Sequence, residues 1–209
     1  MVRAAISSER AEETRGRIVA AATALFSEHG YHATSLNDVI AAAQSTKGGF
    51  YFHFPSKAEL ALAVVESTRE RFRREVFAAM EPHERAADQL VSMVRAVAEV
   101  AAVSSSGDLG RLCEDLREEP GISRDAINPY GGWVVIVEEL LARARDEGAF
   151  DDAEIDLPSA AQFAVGAYIG VEELLGEKGS RVFVDRIDAH LRLTFRALGL
   201  HSGLLEQQA

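Results

Sequence analysis

The segment Thr34-Ser35-Leu36-Asn37-Asp38-Val39-Ile40-Ala41-Ala42-Ala43-Gln44-Ser45-Thr46-Lys47-Gly48-Gly49-Phe50-Tyr51-Phe52-His53-Phe54 carries two short helical patterns across a tight turn. Ser35 followed three residues later by Asp38 is a capping arrangement. The hydroxyl accepts an orphan backbone N–H, and the carboxylate sits at the positive helix end. Leu36, Val39, Ile40 and Ala43 then form one apolar stripe at helical spacing. Gln44-Ser45 break the pattern, and Thr46 is placed to cap a second helix that begins Lys47-Gly48-Gly49. Two consecutive glycines near a helix start cost about 1 kcal/mol each relative to alanine. Close approach of another backbone accounts for that cost, and in a short exposed helix it points to DNA. The candidate DNA contacts are Thr34, Ser35, Thr46, Lys47, Gly48, Gly49, Tyr51, His53 and Lys57. Lys47 supplies charge, while Tyr51 and His53 can donate to phosphate oxygens. Phe50 and Phe54, four apart, should anchor the helix on a small core.

The charge distribution is compatible with such a head. The net charge of −11 divides unevenly: residues 1–80 hold ten Lys+Arg and nine Asp+Glu, whereas residues 81–209 hold twelve and 24. A nearly neutral head on an acidic body implies modest non-specific affinity, because phosphate neutralisation supplies most of that term. Arg3, Arg10, Arg15, Arg17, Lys47 and Lys57 are the cationic candidates. No run of eighteen apolar residues is present and the N-terminus lacks a signal-peptide core, so no membrane partner is expected. A single cysteine, Cys113, suits a packing role in a reducing cytoplasm.

The chain reads as helices almost throughout. The first runs over 9–29 and stops at Gly30, where a left-handed residue is expected. Ser56 caps a long fourth helix to residue 80, with Glu59 completing the box. Its Arg69, Arg71, Arg73 and Arg74 interleave with glutamates and read as a solvated face. Further helices are expected over 84–103, from 109 to 116, and over 129–147, the last stopped by Gly148. The chain closes with helices over 158–175, ended by Gly176, and 180–198. Ser104-Ser105-Ser106-Gly107 and the polar residues 117–128 read as loops, the latter as the least ordered segment. Residues 1–55 are therefore expected to form a helix-turn-helix DNA-binding domain of three helices. Residues 56–209 should form a larger helical ligand-binding and dimerisation domain, making the fold all-α.

The residues Gly30-Tyr31, Thr34-Ser35, Asp38-Val39, Ala43, Thr46-Lys47-Gly48, Tyr51-Phe52-His53-Phe54 and Ser56-Lys57 resemble the TetR family of transcriptional regulators. The run from Thr46 to Phe54 is most similar to the gamma-butyrolactone receptor branch. One departure lies in the turn, where the family usually has glycine and an aliphatic residue and this chain has Gln44 and Ser45. A non-glycine residue in a left-handed turn costs about 1 kcal/mol. The resemblance implies a homodimer whose last two long helices build a four-helix interface. It also implies near-palindromic operator DNA and a small-molecule effector that releases it through a pivot of the fourth helix.

The effector side is less determined. Trp133 could be a core tryptophan, or the wall of a ligand cavity with its indole N–H free for an acyl or lactone oxygen. The resemblance favours the second, because the butyrolactone receptors carry a ligand-contacting tryptophan at the corresponding place. Phe163 and Gly166 on the following long helix, with Leu90, Val94, Val97, Leu112 and Leu116, are the remaining lining candidates. Small residues on the 158–175 helix also permit close dimer packing. Glu172-Glu173 read as exposed charge, with a cationic ligand as the alternative. The six histidines show no metal-ligand spacing, and no nucleophile elbow or phosphate-cradling loop is present. No cofactor, metal or catalysis is expected.

The function expected is a cytoplasmic ligand-responsive repressor released by a gamma-butyrolactone-like butenolide or furan. The alternatives are a repressor of the same fold that senses hydrophobic drugs or metabolites and controls an efflux or catabolic gene, and a helical carrier or enzyme with a vestigial head.

Overall fold

The computed structural model describes residues 2–103, 106–128, 130–151, 154–174, 184 and 186–206. Among them the secondary structure is helical, apart from one isolated antiparallel bridge between Phe150 and Leu200. The helices are α1 (Val2–His29), α2 (Leu36–Ala42), α3 (Lys47–His53), α4 (Lys57–Ala79), α5 (Ala86–Val103) and α6 (Ser106–Asp115). A 3-10 turn, Leu116–Glu118, follows, then α7 (Gly131–Asp146), α8 (Leu157–Leu174), α9 (Ile187–Leu198) and α10 (Gly203–Glu206).

The chain packs as two compact units, Met1–Arg71 with Gly107–Pro129, and Phe72–Ser106 with Tyr130–Ala209. This differs from a division at residue 55. The first unit takes in α6 because its apolar residues share one core with the head: Leu112, Cys113, Leu116 and Ile127 are buried with Ile18, Phe26, Tyr31, Phe50, Phe54 and Leu60. Polar ties complete the attachment. Arg111 donates to the carbonyls of Ser27 (2.6 Å) and Phe26 (3.3 Å) at the end of α1, where helical carbonyls lack partners. Arg69 donates to the carbonyls of Ala126 (3.0 Å) and Asn128 (2.6 Å), so it is not part of a solvated basic face. The segment after residue 116 is accordingly held, with Ile127 buried, and is not a loose loop. At its other end α1 extends beyond the expected start at residue 9, through residues that include neither proline nor glycine. Gly30 (φ 83°) closes α1 as expected, its N–H bonded to the Phe26 carbonyl at 2.9 Å.

The second unit is built from the last residues of α4 with α5, α7, α8, α9 and α10. Its core combines Val76, Leu90, Val91, Met93, Val137, Leu141, Ala161, Leu191 and Phe195. Polar groups fix the helix ends. The Glu147 carboxylate accepts the Ala86 N–H (2.8 Å) at the start of α5, and Asp156 accepts from Ser159 (3.1 Å) at the start of α8. Arg95 of α5 pairs with Asp188 of α9 at 2.6 Å, and Asp88 accepts from Ser202 (2.7 Å) and the Leu204 N–H (3.1 Å). Gly148 (φ 73°) takes the left-handed position after α7 at the expected stop, and Gly199 (φ 63°) does the same after α9. Ser106 and Gly107 lie in α6, not in a loop. The expected ends at Leu175-Gly176 and Ser180 fall outside the described residues.

Candidate nucleic-acid interface

Side-chain caps set the geometry of α2 and α3. The Ser35 hydroxyl accepts the Asp38 N–H (3.2 Å), and the Asp38 carboxylate accepts the Ser35 N–H (3.1 Å), forming the full capping box. The Ser35 hydroxyl also donates to the Asp38 carboxylate at 2.6 Å, and that bond, followed by the one from the Ser35 N–H, holds the Asp38 carboxyl below its ordinary range. Gln44 closes α2 with φ 50°. Its N–H reaches the Ala41 carbonyl (3.1 Å) and the next, on Ser45, reaches Ile40 (3.0 Å), which is a Schellman ending built without glycine. Thr46 then caps α3, its hydroxyl accepting the Gly49 N–H at 3.0 Å. Phe50 is fully buried and Phe54 nearly so, which pins α3 to the core by one face.

The opposite face is open. Lys47 and Gly48 are exposed, Tyr51 is 52% exposed and Phe52 78% exposed. The two glycines differ in kind. A Cβ on Gly48 would meet no atom within 4 Å, whereas one on Gly49 would stand 3.1 Å from the Ser45 hydroxyl and 3.2 Å from that of Thr46. Gly49 is therefore crowded by the cap, whereas no contact among the described residues calls for glycine at Gly48.

Of the candidate contacts, the structure brings Ser35, Thr46, Lys47, Gly48, Tyr51 and His53 onto or beside α2 and α3, but with different duties. Ser35 and Thr46 spend their hydroxyls on capping. Thr34 does not belong with the contacts: it is 2% exposed, and its hydroxyl donates to the carbonyls of Gly30 (2.9 Å) and Leu25 (3.2 Å), tying the turn to α1. Lys57 is half-buried, with its ammonium 4.3 Å from the Tyr31 ring centre and 3.5 Å from the His32 carbonyl. Desolvation lowers its pKa, opposed by the Glu119 and Asp115 carboxylates. The Tyr31 phenol donates to Glu119 (2.8 Å); burial, then Glu119, pushes its pKa upward. Arg15 lies over the Phe54 ring at 5.3 Å. Sequence reasoning overlooked the exposure of Phe52, although its position two residues after buried Phe50 and four after Gly48 was a usable signal.

The effector candidates separate into three groups. Trp133 packs in the second unit, edge-on to Phe72 (6.0 Å) and tilted to Phe77 (6.5 Å), in the cluster that holds Leu90, Val94 and Val97. Leu112 and Leu116 do not join it, because they are buried in the core of the other unit. Phe163 and Gly166 do not line it either. Phe163 is 51% exposed, and a Cβ on Gly166 would meet nothing within 4 Å. The inward face of α8 carries Leu157, Ala160, Ala161 and Glu172 instead. Glu172 is 6% exposed, which corrects its reading as surface charge. The nearby Tyr168 phenol has a raised pKa, chiefly through burial and then through Glu172 and Tyr130. Among the described residues, no group of three or more His, Cys, Asp and Glu is placed to hold a metal ion. No described helix is long and apolar enough to cross a membrane.

Residues 18–64, which include α2 and α3, match the family described as bacterial regulatory proteins, tetR family. The chain is 30% identical over 138 residues to the HTH-type transcriptional regulator LmrA of Bacillus subtilis (strain 168), covering 62% of this chain and 71% of the relative. It is 26% identical over 163 residues to the A-factor receptor protein of Streptomyces griseus. That match covers 78% of this chain but 55% of the receptor, so the chain spans about half of that relative's length. Among solved structures, tylp, a TetR regulator from Streptomyces fradiae, superposes with a TM-score of 0.61 at 28% identity, covering 95% of this chain and 92% of tylp. With the capped helix pair inside the matched region, the chain belongs to the tetR family of DNA-binding transcriptional regulators.

Proposed function

We propose that the protein is a homodimeric repressor that docks two copies of α3 on a near-palindromic operator and is released by a gamma-butyrolactone-like molecule, a butenolide or furan included. One observation supports the DNA half most strongly: α3 leaves Gly48 unobstructed although glycine costs helix stability and no contact among the described residues requires it. Two-fold symmetry would set the two α3 helices in major grooves about one helical turn apart. Residues 1–55 read the duplex in this scheme, and residues 56–209 carry effector binding and dimerisation, except that 107–129 serve as packing for the head. The exposed face of α8, with Phe163, Gly166, Gly170 and Leu174, together with exposed Leu193 of α9, supplies the apolar surface for the second copy. The protein acts where its operator lies, in the cytoplasm.

The effector half rests on Trp133 with Leu90, Val94 and Val97, and on the likeness to the A-factor receptor protein. An effector that prefers one conformation of the second unit shifts the spacing of the heads. α4 is the continuous element that would carry the change, as its residues contribute to both units. The usual scale of such coupling is about 5- to 150-fold in operator affinity.

The test uses a duplex selected by the full-length protein from a random pool, with synthetic gamma-butyrolactones added at saturation. Wild type should lose operator affinity within that range. Trp133→Ala should keep operator binding and lose release. Equal release of both proteins would remove Trp133 from the site, and release only by apolar drugs would replace the lactone class.

A further inference from the structure

We propose that Phe52 and the open backbone at Gly48 form a single apolar notch that reads the C5-methyl group of a thymine in the major groove. This rests on the DNA-binding reading of α3 and adds a specificity-determining residue to it. The reasoning begins with an aromatic side chain that the fold does not use. Phe52 is 78% exposed, the largest exposure of any aromatic residue among the described exposed hydrophobics, while Phe50 two positions earlier is fully buried. Unlike Tyr51 and His53 it has no polar atom, so a phosphate oxygen gives no reason for its presence.

Its place on the helix supplies the reason. Residues i and i+4 share a face, and helical side chains lean toward the N-terminus, so Phe52 leans toward the turn that contains Gly48. The ring does not fill that turn, because a Cβ placed on Gly48 would still meet nothing within 4 Å. A gap is left beside an apolar ring, at bare helix backbone. The His53 ring stands edge-on to Phe52 at 5.0 Å, bracing the aromatic wall. Lys47 is exposed at the start of the same turn and Tyr51 flanks it, so the notch is bordered by groups suited to the sugar-phosphate backbone. A thymine methyl is the one apolar feature that a base pair offers in the major groove, and phenylalanine is among the side chains that meet it.

Replacing thymine by deoxyuridine removes that methyl and nothing else. The experiment measures binding of the full-length protein to its selected duplex, with each thymine of a half-site exchanged in turn. Wild type should lose about four-fold in affinity at one position, the scale of one buried methyl group. Phe52→Ala should bind the unmodified duplex more weakly and be indifferent to the exchange at that position, with an unchanged salt slope. Phe52→Leu, which keeps an apolar side chain, should retain part of the sensitivity and serves as the second variant if the alanine protein is poorly folded. An exchange penalty of equal size in wild type and both variants overturns the proposal, as does a flattened salt slope with uniform weakening on all duplexes. If the random pool yields no enriched duplex at all, the DNA-binding reading falls and takes this one with it.

Discussion

Two exposed faces of this protein, one on α3 and one on α8, share an unusual composition and differ in what surrounds it. Each sets open glycine beside exposed phenylalanine: Gly48 with Phe52 on α3, and Gly166 and Gly170 with Phe163 on α8. In neither place would a Cβ on the glycine meet any described residue within 4 Å. On α3 the open turn is bordered by Lys47, Tyr51 and His53, groups that can donate to phosphate. On α8 no cation occurs between residues 157 and 174, and of its two carboxylates Glu172 is buried. Bare helix backbone is thus a general means of close approach. On the proposed function, the neighbouring side chains decide whether the partner is a charged duplex or a second apolar helix.

The largest effect expected of any substitution breaks the α8 side of that contrast. Gly170→Glu places a charge on the surface proposed for the second copy, at a position where a Cβ meets no atom within 4 Å. The protein should sediment as a folded monomer, and operator affinity should fall by about a hundredfold or more as the second head is lost. A dimer with undiminished affinity would show that this face is not the interface.

Gly48→Ala sharpens the α3 side. Thermal stability should rise by about 1 kcal/mol from helix propensity alone. Operator affinity should fall by roughly tenfold, the scale of one base contact. Opposite signs for stability and binding are the diagnostic. Affinity that rises with stability would mean the open backbone has no partner.

The smallest effect belongs to Gly49→Ala. Its added methyl crowds the Thr46 hydroxyl that caps the helix. The propensity gain and the cap loss, each about 1 kcal/mol, should nearly cancel in a denaturation curve. A gain equal to that of Gly48→Ala would show that the cap relaxes freely.

What could be read in advance follows the range of the interactions involved. The caps at Ser35, Thr46 and Ser56, the glycine stops at Gly30 and Gly148, and the anchoring of Phe50 and Phe54 are settled within four or five residues. All were legible in the one-dimensional pattern. The recruitment of α6 into the head was not, because Leu112 and Leu116 look like any apolar stripe until Ile18, Phe26 and Tyr31 are seen around them. Arg69 was misjudged for the same reason: its carbonyl partners at Ala126 and Asn128 lie far along the chain. Among the ligand candidates, Phe163 and Gly166 failed by direction. A helix with apolar residues on both sides, such as α8, gives no sign from periodicity alone of which side faces inward, and Phe163 and Gly166 fall on the outer one. Thr34 was a subtler error, since a threonine in the turn before a helix can serve a phosphate or its own chain, and here it serves α1.

The most direct measurement is the affinity of the full-length protein for its selected duplex as salt is raised. A head that grips phosphates must release counterions, so log K should fall linearly with log salt, by about 0.9 per phosphate neutralised, and Lys47→Ala should make the slope shallower by about 1. A line with no slope would mean that α3 does not meet DNA, and the account would be wrong at its root.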